Sequence, residues 1–311
     1  MHGQLSLFPE AFAVQEAALE ALEELDVEQA LQLVQRAWEQ DPMLANLDAL
    51  ESAVLWLDGE LAAEPVTGER LAQLFLAVPG ACQRGEIARE AAAIVDQALA
   101  RRALRAEHEA AAFLDSTERV HRGALLLVLG RAGEAAAILR ESVNAGHDGR
   151  ADLWAYLGDA CFLTERAEEA NAAYVRALFL SARDADLFRI RQPRLAALYE
   201  ELWREHPQDA ARELVPIHAW LEGTLVIPPE NGWLDPHLSR LRLAAAVRTD
   251  SPLEQRLRRF ALLLYEDRSR PRGEYDVTER EEMRALPPEL FERYMERCRK
   301  IESRGSESLR W

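Results

Sequence analysis

Residues 151–182 read ADLWAYLGDACFLTERAEEANAAYVRALFLSA, and two short amphipathic helices can be traced through them. Trp154, Leu157, Gly158 and Cys161 recur at helical spacing, Thr164-Glu165-Arg166 interrupts that apolar face, and Ala170, Tyr174 and Ala177 form a second face of the same period. Gly158 and Ala170 are small enough to let the two helices approach closely, while Trp154 and Tyr174 are large enough to reach a neighbouring pair. A single such pair cannot bury its own apolar face, so this stretch requires stacked neighbours on both sides.

These residues closely resemble the tetratricopeptide repeat, whose pattern is W-x2-L-G-x2-Y, then A-x3-F, then P. Two positions depart from it: Cys161 stands where the family has an aromatic residue, and Ala182 where it usually has Pro. The resemblance implies an all-α solenoid of helix pairs that binds peptides on a concave face lined by the first helix of each pair. Here that groove would include Ala155, Tyr156, Asp159 and Phe162. The subgroup that grips C-terminal carboxylates uses Lys and Asn on those helices. This chain has Ala155 and Asp159 there, and its one lysine is Lys300, so a basic or apolar segment suits it better than an acidic C-terminus.

Working outward, Glu118 to Asn144 returns to the pattern through Gly123, Leu126, the turn Gly130 to Gly133, then Ala135 and Leu139. Ala135 and Ala170 are 35 residues apart, close to the family's period, so these two units should stack directly. Glu10 to Glu24 and Val27 to Gln40 make another helix pair, with Asp26 placed to cap the second helix. Leu44 to Ala62 reads as a helix with Trp56 on its apolar face. Residues 65–117 read as irregular helix pairs or highly diverged units, not as clear repeats, with Val78-Pro79-Gly80 a turn between Glu69–Ala77 and Gly85–Leu104. Leu187 to Arg191, Pro193 to Glu205 and Asp209 to Glu222 supply a third, degenerate unit. The expected organisation is an extended tail over 1–9, a solenoid over 10–222, a linker over 223–236 that packs Ile227 and Trp233 on the solenoid end, and a helical region over 237–311. In that last region Leu238 to Arg248, Pro252 to Glu266, Thr278 to Leu286 and Pro287 to Ser303 read as helices, with Thr278-x-x-Glu281 as a capping box.

Composition favours the same class. Of 311 residues 49% are hydrophobic, ample for a continuous core, and the dominance of Ala, Leu, Glu and Arg over β-branched residues favours helix nearly everywhere. The net charge is −17, but residues 238–311 carry 17 Arg+Lys against 14 Asp+Glu, which leaves about −20 on the part before them. Such a surface repels a polyanion, so direct nucleic-acid binding by the main body is disfavoured. Cys82, Cys161 and Cys298 lie far apart, without metal-ligand spacing, and read as reduced thiols. No signal-peptide pattern opens the chain and no apolar run has the length of a membrane span, so a cytoplasmic location is expected.

The N-terminal pentapeptide Gln4-Leu5-Ser6-Leu7-Phe8 looks like the linear motif by which bacterial replication and repair proteins dock on the DNA polymerase sliding clamp. By that resemblance Leu7 and Phe8 would fill an apolar pocket and Gln4 would orient the peptide. A tail of this kind has another role open to it, folding back to cap the exposed face of the first helix pair.

Sequence offers little for catalysis. Seven histidines show no His-x-x-x-His or His-Glu-x-x-His spacing, and there is no glycine-rich phosphate loop and no Gly-x-Ser-x-Gly elbow. The expectation is a non-enzymatic adaptor for a protein partner, with no cofactor and no metal. The rival readings are a structural scaffold, and a binder of nucleic acid or an acidic partner through Arg256, Arg258, Arg259, Arg268, Arg270 and Arg272. Asp250, Glu254, Glu266, Asp267 and Glu274 interleave with those arginines and offer them ion-pair partners instead.

Overall fold

The computed structural model describes residues 9–62, 66–105, 120–228, 252–271 and 273–307, the last four of these by backbone alone. The described residues are all-α: fourteen α-helices and one π-helical turn, with no strand among them. The chain divides into two compact units, residues 1–134 and 135–311.

The first unit holds α1 (Pro9–Glu23), α2 (Val27–Gln40), α3 (Leu47–Leu61), α4 (Gly68–Gln83), α5 (Arg89–Arg105) and α6 (Arg122–Val128). Asp26 caps α2 as its position suggests, its carboxylate accepting from Gln29 N–H at 3.0 Å. Helix α5 is central, packing against α1, α3, α4 and α6, because small and branched side chains at Ala91, Ala92, Val95, Ala98, Leu99 and Ala103 let several helices reach it. Its last turn presents Arg101 and Arg105 to Glu23, a carboxylate buried at the end of α1.

Two expectations for this unit need correction. Helix α4 runs unbroken through Val78-Pro79-Gly80, because Phe75, Val78 and Ala81 are all buried and their packing outweighs the missing N–H of Pro79. The break falls instead at Gly85, whose φ of +74° suits a left-handed helix end. In α3 the buried stripe is Leu47, Leu50, Ala53, Val54 and Leu57, so Trp56 sits half-buried at its edge rather than on it.

Helix α7 (Ala132–Ser142) contains the division between the units. The second unit continues with a π-helical turn (Val143–His147), α8 (Ala151–Leu163), α9 (Ala167–Ser181), α10 (Pro193–Glu205), α11 (Gln208–Glu222), α12 (Pro252–Ser269), α13 (Val277–Ala285) and α14 (Pro288–Glu307). Helices α8 and α9 form the tightest pair. A Cβ built on Gly158 would lie 2.6 Å from Cδ1 of Tyr174, so only glycine allows this approach without a shift. Trp154 is covered within the same pair by the Arg176 guanidinium, 4.4 Å from its ring centroid, while its indole N–H donates to Asp148 O at 2.8 Å. Phe179 of α9 meets Tyr265 of α12 at 5.4 Å, and α12 also packs on α11.

Residues 187–191 form turns rather than a helix. Leu187, Arg189 and Ile190 are nonetheless buried, which fixes the segment by its side chains. After α11, the amide of Asn171 donates to Val226 O at 2.8 Å and accepts from Val226 N at 3.0 Å, while Leu225 and Ile227 are buried. Residues 223–228 are thereby held on the second unit, and Trp233 lies outside the described residues, as does the expected helix at 238–248. Helix α13 is capped by Asp276, which accepts from Thr278 N at 2.8 Å and Glu279 N at 3.3 Å; the helix thus starts before Thr278, which lies in its first turn and is not the expected cap.

Four interhelical turns, at Leu25, Gly85, Gly130 and Glu165, share one hydrogen-bond pattern, a common way for a helix to end; at Gly85 the N–H donates to Cys82 O and the next N–H to Ala81 O. Leu25, Gly130 and Glu165 are all left-handed, with φ of 61°, 73° and 61°. In each, the N–H of the left-handed residue donates three residues back, to Leu22, Leu127 and Phe162, and the next N–H donates five back, to Ala21, Leu126 and Cys161. Around Leu25, Gly130 and Glu165 the flanking residues agree as well: seven residues before each stands a buried small residue, Ala18, Gly123 or Gly158, and five after it a buried alanine, Ala30, Ala135 or Ala170, whereas Gly85 has Val78 and Glu90 at those positions. The separations of these three turns are 105 and 35 residues.

Candidate functional site

Helix α8 positions the four residues expected to line a groove. Ala155, Tyr156 and Asp159 are buried and Phe162 is half-buried. The Tyr156 hydroxyl donates to Asp186 at 2.9 Å, and Asp186 also accepts from Arg189 at 2.8 Å. Asp159 Oδ1 accepts from the Tyr174 hydroxyl and from the Arg191 backbone N–H, both at 2.7 Å. These side chains therefore tie α8 to α9 and to the 183–192 segment that covers them. A peptide reaching this helix meets Phe162 before any of the other three.

Burial sets the electrostatics here. It pushes the Asp159 carboxyl up to about 7, against the downward pull of the Tyr174 hydroxyl and the Arg191 N–H. Burial, with the Asp186 carboxylate alongside, also drives the Tyr156 phenol well above its ordinary range. A carboxyl and a phenol buried in this way have their hydrogen bonds taken up within the fold, by Tyr174, the Arg191 N–H and Asp186.

The arginines of the C-terminal region are taken up by neighbours. Arg258 meets buried Glu213 at 2.6 Å, Arg259 forms a two-pronged pair with Glu282 at 2.7 and 2.8 Å, and Arg270 meets Glu279 at 2.8 Å. Arg256 donates to Leu286 O at 2.9 Å, and Arg268 lies against Cys298 Sγ at 3.4 Å and Asp267 at 3.8 Å. Arg272 lies outside the described residues. The interleaved acids thus reduce what these arginines could offer a polyanion. Beneath them Asp267 is fully enclosed, paired with Arg280 at 2.9 and 3.1 Å and accepting from Tyr294.

Among the described residues no group of three or more His, Cys, Asp or Glu side chains is placed to hold a metal ion, and no helix is long and apolar enough to cross a membrane. The clamp-like peptide Gln4, Leu5, Ser6, Leu7 and Phe8 lies outside the described residues.

The outward face of α3 is a different kind of place. Asp48, Glu51, Ser52, Leu55 and Trp56 follow one another at spacings of three, one, three and one, which puts them on one stripe of the helix. With Glu86 from the turn after α4 they line a shallow groove of about 430 Å³. Leu55 is 52% exposed. Trp56 reaches the Glu86 carboxylate, which the Arg84 guanidinium holds below the usual carboxylate range.

No family model, curated protein or solved structure matches the chain. Function must accordingly be argued from its own surfaces. The α3 stripe escapes a search for an apolar face because its first members, Asp48, Glu51 and Ser52, are polar and only Leu55 and Trp56 are apolar; an adjacent Leu-Trp pair among acids was the signal in the sequence.

Proposed function

We propose that this chain is a non-enzymatic, tetratricopeptide-like adaptor that binds protein partners and is tethered to the bacterial sliding clamp by Gln4 to Phe8. The observation that carries the repeat reading is the pattern of buried small residues around three of the turns, at Leu25, Gly130 and Glu165, whose separations are 105 and 35 residues; the turn at Gly85 has the same hydrogen bonds but neither the flanking residues nor the spacing. Both separations are multiples of 35, close to the family's period, and each of these three turns is flanked by a small residue seven before it and an alanine five after it. Repeat scaffolds of stacked helix pairs act by presenting surface to other proteins rather than by chemistry. The tether rests on the pentapeptide itself, and it accounts for how so acidic a body can work near DNA, through a protein rather than through phosphates.

Purified sliding clamp immobilised on resin should retain the wild-type chain and release the Leu7→Ala/Phe8→Ala variant. Equal retention of both would remove the tether. The scaffold alternative makes a separate prediction: deleting residues 1–8 would lower the melting temperature appreciably if they cap the fold, and would leave it unchanged if they serve a partner.

A further inference from the structure

The α3 groove combines three features. Its floor is apolar where Leu55 and Trp56 stand side by side, Leu55 remaining more than half exposed. Its rim is acidic: Asp48, Glu51 and Glu86 border it, and among the described residues neither Asp48 nor Glu51 makes an ion pair. Its surroundings carry the same sign, since residues 1–134 hold 23 Asp+Glu against 10 Arg. A cation arriving there meets a field that attracts it over distances comparable to the screening length, about 8–10 Å at physiological salt.

We infer that the outer face of α3 docks a short basic segment of a partner protein, with one large apolar side chain against Leu55 and Trp56 and flanking Arg or Lys residues meeting Asp48 and Glu51. The inference builds on the adaptor reading and names the chemistry of the partner. An acidic or neutral peptide would leave the two rim carboxylates unpaired, whereas a basic one neutralises them at the edge of an apolar contact. The stripe from Asp48 to Trp56 is roughly 12 Å long at 1.5 Å per residue, which matches two turns of a helix or about four extended residues. A central apolar anchor inside a charged rim is the usual energetic layout of such contacts.

The test uses fluorescence anisotropy of labelled twelve-residue peptides against the full-length chain. One probe carries two Leu and four Arg in an Ala background, a second replaces Arg by Glu, and a third replaces Leu by Ala. The Arg/Leu probe should bind, and the other two should bind at least tenfold more weakly. Asp48→Arg/Glu51→Arg should weaken the Arg/Leu probe at least tenfold and Leu55→Ser several-fold, while Glu201→Arg, at an exposed position of α10, should leave it unchanged. Circular dichroism of each variant confirms that the fold is kept.

Several outcomes would overturn the inference. Equal loss with Glu201→Arg would mean that the acidic body as a whole attracts the probe. Unchanged binding in the α3 variants would place the probe elsewhere. A dimer in sedimentation velocity that Leu55→Ser dissociates would assign the groove to a second copy of the chain, and a tenfold tightening on removal of residues 1–8 would assign it to the chain's own N-terminal segment. Clamp retention depends on Leu7 and Phe8, so failure of the peptide assay alone refutes the α3 site, and failure of the clamp assay alone refutes the tether.

Discussion

The Tyr174 hydroxyl donates to Asp159 at 2.7 Å across the α8–α9 pair, and the Arg191 N–H donates to the same oxygen. Burial holds the Asp159 carboxyl near 7, far above its ordinary value of 3.8, so the folded state binds a proton that the unfolded chain releases. The stability this proton confers is complete below about pH 4 and is lost as pH rises through about 7. In Asp159→Asn the side-chain oxygen still accepts both bonds, but no proton is exchanged. Urea unfolding at pH 4 and pH 8 should show the wild type losing roughly 4 kcal/mol more than this variant over that interval. Parallel pH profiles would mean that Asp159 is ionised in the fold.

His218 acts in the opposite sense. Burial, with Arg293 and His206 adding positive charge nearby, depresses its imidazole from 6.5 to about 4. The unfolded chain therefore takes up a proton that the fold refuses, and stability falls as pH drops from about 6.5 to 4. His218→Gln should remove roughly 3 kcal/mol of that acid-side loss, making the protein relatively more stable at pH 4.5 than at pH 7.5 when each is compared with wild type. A variant whose difference from wild type is constant with pH would show that His218 titrates normally in the folded chain.

Close approach at Gly158 predicts an asymmetry between glycines. Its added Cβ would fall 2.6 Å from the buried Tyr174 ring, which the bond to Asp159 holds in place, whereas a Cβ on Gly133 meets nothing within 4 Å. Gly158→Ala should cost about 1–3 kcal/mol, and Gly133→Ala should be neutral or stabilising by about 0.5 kcal/mol. Equal effects in chemical denaturation would show that Tyr174 can move aside.

Enclosed Asp267 depends on its cations. Arg280 supplies a two-pronged pair and Tyr294 a hydroxyl, and the Asp267 side chain has no exposure. Arg280→Met should destabilise by about 3–5 kcal/mol, because a buried charge is left with Arg268 alone, 3.8 Å away. Adding Asp267→Asn to that variant should recover part of the loss, since the uncompensated charge goes with it. A double variant no better than the sum of its parts would mean that Asp267 is reached by water.

Helices α1, α2, α8 and α9 were legible because apolar period, cap and turn all agree there, as at Asp26 and Gly158. Pro79 misled because a local breaker was overridden by the burial of Phe75, Val78 and Ala81, which no window of sequence reports. The groove expected on α8 proved harder to read. Asp159 and Tyr156 have the polarity of a binding face, but their partners, Arg191 and Asp186, come from a segment about 30 residues away. Similarly, the arginines at 256–270 read as a patch in one dimension, while Glu213, which pairs Arg258, lies 45 residues upstream. Long-range pairing of this kind has no periodic trace.

The shared turn geometry gives a last expectation. Glu165 is exposed, carries a φ of +61° and stands where Gly130 occupies the corresponding position at +73°. A side chain in the left-handed region costs about 1 kcal/mol or more, which glycine avoids while adding some entropy to the unfolded chain. Glu165→Gly should therefore stabilise by about 0.5–1 kcal/mol, even though it places a flexible residue between two helices, and Gly130→Ala should cost about 1 kcal/mol. Both are read as shifts of the urea midpoint at constant slope. Destabilisation by Glu165→Gly would mean that this turn is not left-handed in solution, and the equivalence of the turns at Leu25, Gly130 and Glu165 would fall with it.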